Sequence, residues 1–362
     1  MCPKPANLDA ATLCRVLVGR STAFGLAVLV WACPATVSAC RYNVRDVAFV
    51  VLNDRPYELS IAWRDSAGAI STAKFIDIAS EVLTDSNVVA DFGGGRDVGP
   101  LTPIDASQPS TFGDPHDTAA LTLTSPDART LSLPLPNAVV DDDRLLRQAI
   151  ARVVHSPLRS QLTARLPDSY ALVLVVECSD ERLNQRAMSM ADNAIARIVA
   201  TMPELPKSAG GPPRAIVVPA ELLDEERVLL WSLSIDVRPQ RDAQIVMLFG
   251  RGRRLGPVLN VSNSTDDDVL RSLAVAGLDC ECELDRSWMQ TAMIPHFWSR
   301  ADEQRAADIL QFDPGHALVK VEISRILSRG PDSRGVVQSD ANVRAVEAML
   351  PGLQIVDLDA FD

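Results

Sequence analysis

The chain repeats one order of apolar segments, and this repeat limits its possible folds more than any other feature of the sequence. Strand-like apolar runs alternate with segments of helical periodicity, such as residues 71–83 and 181–202. Each half predicts a strand, a helix, a second strand, a β-hairpin and a final helix. Because right-handed crossovers place a helix between parallel strands, each half predicts a small mixed sheet flanked by helices.

Three predicted elements recur at one spacing of 125 residues, which favours internal duplication. The corresponding positions are 46–52 with 171–177, Leu121 with Val246, and Asp141 with Asp266. The strand and helix order resembles that of the thioredoxin-like fold, present twice. The predicted organisation is a signal peptide at 1–39, thioredoxin-like domains at 40–166 and 167–300, and a C-terminal helical extension and tail at 301–362.

Residues 1–39 have the pattern of an export signal. Three basic residues precede the apolar run "TAFGLAVLVWA" (22–32), and small residues stand just before Cys40. The run is too short for a transmembrane helix, which needs about 20 residues. We therefore predict cleavage before Cys40 and an exported protein in the periplasm or cell envelope.

The same junction has a second interpretation. The stretch "VSAC" (37–40) resembles a bacterial lipobox, in which the cysteine is lipidated and becomes the new N-terminus. Arg41 follows at once, whereas tethered lipoproteins usually carry a longer leader. Lipidation of Cys40 is thus the alternative to plain cleavage.

The charge balance restricts the partners of the chain. A net charge of −12 argues against nucleic acid, because binding phosphates needs a concentrated basic face. It also argues against electrostatic adsorption of the whole protein to an anionic membrane. The expected partner is another protein of the envelope, with a membrane contact only through a lipid at Cys40.

Segments from both halves resemble those of one family. The stretches "CRYNVRDVAFV" (40–50), "GRGRRLGPVL" (250–259) and "CECELDRSWM" (280–289) are similar to those of a family of exported bacterial proteins with no established activity. The resemblance implies tandem thioredoxin-like domains and an envelope address. It carries no implication for chemistry.

The first strand–helix junction of each half is where a working thioredoxin places C-x-x-C. In the second half this junction reads "VVECSDERLN" (175–184). Cys178 stands at the position of the first, nucleophilic cysteine of C-x-x-C, and Glu181 stands at the position of the second, resolving cysteine. In the first half the corresponding residue is Asn53. Neither half predicts a dithiol oxidoreductase, and we expect no catalytic residue and no cofactor.

Cys280 and Cys282 form a C-x-C motif with three open interpretations. They are structural cysteines, a redox pair with a strained disulfide, or metal ligands for Zn or Cu together with His296. Four acidic neighbours oppose thiolate formation at this motif. Together with Cys40 and Cys178 they allow three disulfide pairings in an oxidising compartment, and the sequence does not choose among them.

The stretch "GRGRR" (250–254) lies between two predicted strands rather than before a helix. It therefore lacks the helix N-terminus of a phosphate-binding loop, and we predict a turn with solvated arginines. The predicted function is a non-catalytic binding or assembly module of the cell envelope. The alternative is a thiol-redox or metal-handling protein that uses Cys280, Glu281 and Cys282.

Overall fold

The computed structural model describes residues 41–52, 55–63, 72–91, 119–136, 138–139, 142–205, 207, 210–235, 241–278 and 287–328. These residues belong to one compact unit. The predicted signal peptide lies outside the described residues.

The first half contains one four-stranded mixed sheet. Its elements, after a short helix α1 (Val44–Val47), are β1 (Tyr57–Trp63), α2 (Thr72–Val82), β2 (Val88–Ala90), β3 (Ala119–Thr124), β4 (Thr130–Leu135) and α3 (Asp143–Val154). The strand order is β2-β1-β3-β4, in which β1 and β2 run parallel and the other neighbours antiparallel.

The second half repeats this arrangement. Its elements are α4 (Pro157–Arg165), β5 (Leu172–Val176), α5 (Glu181–Thr201), β6 (Arg214–Val218), α6 (Arg227–Ser232), β7 (Gln244–Phe249), β8 (Arg253–Asn260) and α7 (Asp266–Ala274), followed by α8 (Arg300–Leu310) and α9 (Ala317–Ser328). The order β6-β5-β7-β8 has the same strand directions as the first sheet. The predicted α/β class with two mixed sheets is confirmed.

The two central strands, β1 and β5, have different sequence patterns because β5 has helices packed on both faces of its sheet and β1 alternates between buried and exposed residues. In β1 the residues alternate, with Tyr57 and Leu59 buried and Glu58 exposed, which is typical of a sheet with one apolar face. In β5 all five residues are buried. Helices α5 and α7 pack on one side of β5, and α4 and α6 pack on the other.

The two halves share packing elements. Helices α1 and α4 precede the predicted boundary at residue 166, yet both pack against the second sheet. In the opposite direction, Val228 and Trp231 of α6 pack on the core of the first sheet. Each sheet therefore completes its core with residues from the other half.

The prediction of a strand at 46–52 is wrong, because this segment begins as a helix. The Asn43 side chain accepts a hydrogen bond from the Asp46 N–H, and Asp46 accepts one in return from the Asn43 N–H. This capping box starts α1 in spite of the β-branched residues that follow. Residues 42–50 are all buried, so the apolar run forms part of the core without joining a sheet.

The counterpart of β5 is therefore β1. Leu59 lies opposite Leu123 in the first sheet, as Leu172 lies opposite Leu248 in the second. The spacing of 125 residues holds for β3 and β7 but not for the first strand of each half. The predicted hairpins and their following helices are confirmed.

Candidate functional site

Cys178 lies where the sequence placed it, between the end of β5 and the start of α5. It forms no disulfide with any described residue, and it is 2% exposed. A thiol that attacks a disulfide must reach its substrate, and burial of this depth prevents that contact.

The backbone of Cys178 is held by one side chain of α5. The Cys178 N–H donates to Asn184 Oδ1 at 2.9 Å, and Asn184 Nδ2 donates to the Cys178 carbonyl at 3.0 Å. Both residues are buried. The double hydrogen bond joins the strand end to the second turn of the helix and fixes the position of the cysteine.

Acidic residues stand next to Cys178 in the chain. Its Sγ accepts the N–H of Asp180 at 3.3 Å, and the carboxylate of Asp180 caps α5. Glu177 and Glu181 flank these two residues in the chain. The sulfur therefore lies at the start of α5, with acidic residues on both sides of it in the chain.

The corresponding junction of the first half follows β1 and comprises residues 64–71. The assignment of Asn53 to this position is wrong, because it depended on a strand at 46–52. Residues 64–71 read "RDSAGAIS" and contain no cysteine. Both this stretch and Asn53 lie outside the described residues.

His296, the predicted third metal ligand, is a fully buried neutral imidazole. Its Nδ1 lies 2.7 Å from the Ile294 carbonyl, so Nδ1 carries the proton and Nε2 bears a lone pair. Nε2 has no hydrogen-bond partner within the described part of the chain. The ring meets Trp298 edge-on, with the ring centroids 5.6 Å apart.

Burial lowers the pKa of His296 to about 3, and the nearby guanidinium groups of Arg251, Arg159 and Arg253 add to this effect. The same positive charges oppose a metal cation at Nε2. No group of three potential metal ligands occurs among the residues that the structure describes.

The remaining predicted cysteine sites lie outside the described residues. These are Cys280 and Cys282 of the C-x-C motif and Cys40 of the lipobox-like junction. The metal set, the disulfide pairings and the lipidation therefore stay predictions.

Three buried arginines form a feature that the sequence analysis missed. Arg45, Arg159 and Arg253 are each at most 2% exposed. Arg45 donates from Nε to the Ser169 carbonyl at 2.8 Å and from Nη2 to the Pro167 carbonyl. It therefore links α1 to the turn before β5.

Arg253 joins three segments of the chain. Its guanidinium donates to the carbonyl of Ala48, the residue that follows α1, at 3.1 Å, and also to the carbonyl of Thr291. The prediction of solvated arginines at "GRGRR" is therefore wrong for Arg253. Gly250 and Gly252, at φ 56° and 84°, allow the tight turn that directs it inward.

Arg159 closes the C-terminal end of α3. Its guanidinium donates to the carbonyls of Arg152 and Val153, where the helix leaves carbonyls without intrahelical partners. Glu226 Oε2 lies 3.9 Å from Arg159 Nε, and it accepts the Ser156 hydroxyl at 2.8 Å. Burial lowers the pKa of Arg159 to about 10 and raises the pKa of Glu226.

Two small cavities lie beside α4 and α8. One of about 160 Å³ is lined by His155, Ser160 and Phe297, and one of about 90 Å³ by Arg251 and Trp298. Ligand pockets usually measure about 300 Å³ or more. Ser160 Oγ lies 3.3 Å from His155 Nδ1, but it donates to the Ser156 carbonyl at 2.9 Å.

No protein-family model matches the chain, and no curated protein is similar to it at a significant level. Among the described residues, no helix has the length and apolar character needed to cross a membrane.

Proposed function

We propose that this protein is an exported, non-catalytic binding or assembly module of the cell envelope, built on two thioredoxin-like units. Its location is the periplasm or the cell envelope, with plain cleavage before Cys40 or a lipid anchor on that residue. Its partner is another envelope protein, and no cofactor is required.

The strand order supports the thioredoxin-like assignment. In each sheet a central strand pairs in parallel with the next strand of its half and antiparallel with a hairpin, and a helix connects the two parallel strands. A thioredoxin-like core has the same order and directions. The similarity concerns topology, which hosts many unrelated functions.

The observation that carries the proposal is the absence of a usable dithiol at either strand–helix junction. Cys178 is buried, fixed by Asn184 and followed by Glu181 at the resolving position. Residues 64–71 contain no cysteine at all. A thioredoxin-like scaffold without this chemistry retains surfaces for binding.

The second candidate is a thiol-redox or metal-handling protein that uses Cys280, Glu281 and Cys282. One observation favours it, namely the buried lone pair of His296 Nε2, which is the atom that a neutral histidine offers to Zn or Cu. The three nearby arginines act against it. We therefore rank this candidate second.

The proposal is tested by exchanging Cys178, Cys280 and Cys282 for serine in the exported full chain. A binding module keeps its crosslinks to the same envelope proteins in living cells when these three thiols are gone. Purified unmodified protein shows no reduction of insulin disulfides and releases no stoichiometric zinc or copper on denaturation. Folding of the triple variant is checked by circular dichroism.

A metal released in equal amount to the chain would contradict the proposal and support the second candidate. So would insulin reduction that disappears in Cys280→Ser/Cys282→Ser but not in Cys178→Ser. Loss of the crosslinks in a folded triple variant would show that binding depends on the thiols.

A further inference from the structure

We propose that the solvent-facing side of α9 is a lipid-contacting surface that rests on anionic headgroups of the membrane next to Cys40. The α9 face consists of Ala317, Leu318, Val321, Ser324, Arg325 and Ser328, all of them exposed. This inference rests on the proposed envelope address.

The first argument is the apolar character of the α9 face. Leu318 is 73% and Val321 is 56% exposed, and they are neighbours on the helix surface. The opposite side of α9 packs into the core through Val319, Ile323 and Ile326. This packing fixes the rotation of the helix, so the two apolar side chains stay in solvent unless something covers them.

The second argument is the charge of the α9 face. It carries Arg325, while Lys320 and the partly exposed Glu322 lie at its two edges, and the Glu322 carboxylate is paired with Arg41. The chain as a whole has 47 acidic and 35 basic residues, and the neighbouring α8 exposes Glu303 and Asp308. Apolar side chains beside basic ones are the combination that enters the interface of an anionic membrane.

The third argument is the position of the chain that leads back to Cys40. Arg41 Nη1 lies 3.5 Å from Glu322 Oε2 on α9, and the Tyr42 hydroxyl donates to the same oxygen at 2.8 Å. Consecutive Cα atoms are about 3.8 Å apart, so Cys40 is one residue from this contact. The described chain therefore begins next to the α9 face, and a lipid on Cys40 would be attached one residue before this contact.

The α9 face and a lipid on Cys40 would act in different ways. A lipobox cysteine carries a diacylglyceryl group, whose two acyl chains anchor a protein stably, so the α9 face would set how the anchored protein lies on the membrane. The net charge of −12 repels an anionic membrane from most directions. Because salt screens charges beyond about 8–10 Å, the local charge of the α9 face dominates when this face points to the membrane.

The test is flotation of the exported full-length gene product with a Cys40→Ser exchange, which removes the lipid and leaves the α9 face. The probe is a vesicle of phosphatidylethanolamine and phosphatidylglycerol, compared with a vesicle of phosphatidylcholine. We expect binding to the anionic vesicle that weakens with salt. Leu318→Glu/Val321→Glu should reduce it at least about tenfold, because two apolar side chains no longer enter the interface.

The matched control is Val199→Glu, which changes a valine that is 43% exposed on α5. Equal losses in the control and the double variant would overturn the proposal, as would a Cys40→Ser protein that floats with neither vesicle. A double variant that changes the sedimentation of the protein would assign the α9 face to a second copy. A large loss of thermal stability would assign it to another segment of the same chain.

The mass of the unmodified exported protein separately shows whether Cys40 carries a lipid. If Cys40 carries a lipid but the double variant binds vesicles as well as the unmodified sequence, the lipid-contacting role of the α9 face is wrong and the envelope location stands. If the α9 face binds vesicles but Cys40 carries no lipid, only the lipid anchor on Cys40 is wrong.

Discussion

At the residue scale, the burial of His296 predicts a dependence of stability on pH. The pKa of His296 is about 3 in the folded protein, and its ordinary value is 6.5. Between these two pH values the unfolded chain binds a proton at this residue and the folded chain does not. Stability from the neutral ring is fully present above pH 6.5 and is lost as the pH falls towards 3.

We predict that this loss amounts to about 2 kcal/mol at pH 5 relative to neutral pH. The measurement is the free energy of unfolding in urea between pH 7 and pH 4 for the unmodified protein and for His296→Asn. The variant should lack this part of the pH dependence. His155→Asn, at an exposed histidine, is the control, and a His296→Asn profile parallel to the unmodified one would contradict the prediction.

Arg253 gives a second prediction at this scale. In Arg253→Met the carbonyls of Ala48 and Thr291 lose a buried donor, so the free energy of unfolding should fall by about 3 kcal/mol. Arg182→Met, at a side chain that is 91% exposed, should change it by about 0.5 kcal/mol or less. Equal effects in urea unfolding would show that Arg253 does not join these segments.

The sequence predicted the location of some individual residues and not of others. The position of Cys178 followed from a strand-like run directly before a helical one. The burial of Arg253 did not, because its partners lie 205 and 38 residues away in the chain. The string "GRGRR" contains nothing that separates the buried Arg253 from its neighbours.

At the element scale, the junction between β5 and α5 depends on Asn184. Asn184→Ala removes both hydrogen bonds to the Cys178 backbone and should lower the free energy of unfolding by about 2 kcal/mol. Asn193→Ala, at an exposed position of the same helix, should cost about 0.5 kcal/mol or less. A loss in Asn184→Ala no larger than in Asn193→Ala would contradict this role.

Elements with a strong period were predictable, and those shaped by local capping were not. The alternation in β1 and the continuous apolar run in β5 each fit their sheets. The run at 46–52 has the composition of a strand, but the Asn43–Asp46 capping box begins a helix there. Composition alone therefore assigned the first strand of the first half to the wrong segment.

At the scale of the whole molecule, the shared packing predicts one cooperative unfolding transition. Leu123→Ala lies in the core of the first sheet and Leu174→Ala in that of the second, and both leucines are fully buried. Each should destabilise the protein by about 3 kcal/mol and shift the same single transition in calorimetry. Two transitions, each shifted by only one variant, would show that the halves unfold separately.

The repeated order of elements was predictable from the sequence, but the packing of each half on the other was not. Pattern reasoning placed a boundary at residue 166, and no sequence signal shows that α1 and α4 pack on the second sheet. The sheet on which each helix packs depends on which sheet faces remain apolar and uncovered after the sheets have formed.

The central claim is that neither strand–helix junction carries an active thiol. It is tested most directly by alkylation of the native exported protein, followed by peptide mass mapping of each cysteine before and after denaturation. The account predicts that Cys178 is modified only in the denatured chain and that Cys280 and Cys282 do not react in the native one. Rapid modification of Cys178, or of the C-x-C pair, in the native protein would contradict it.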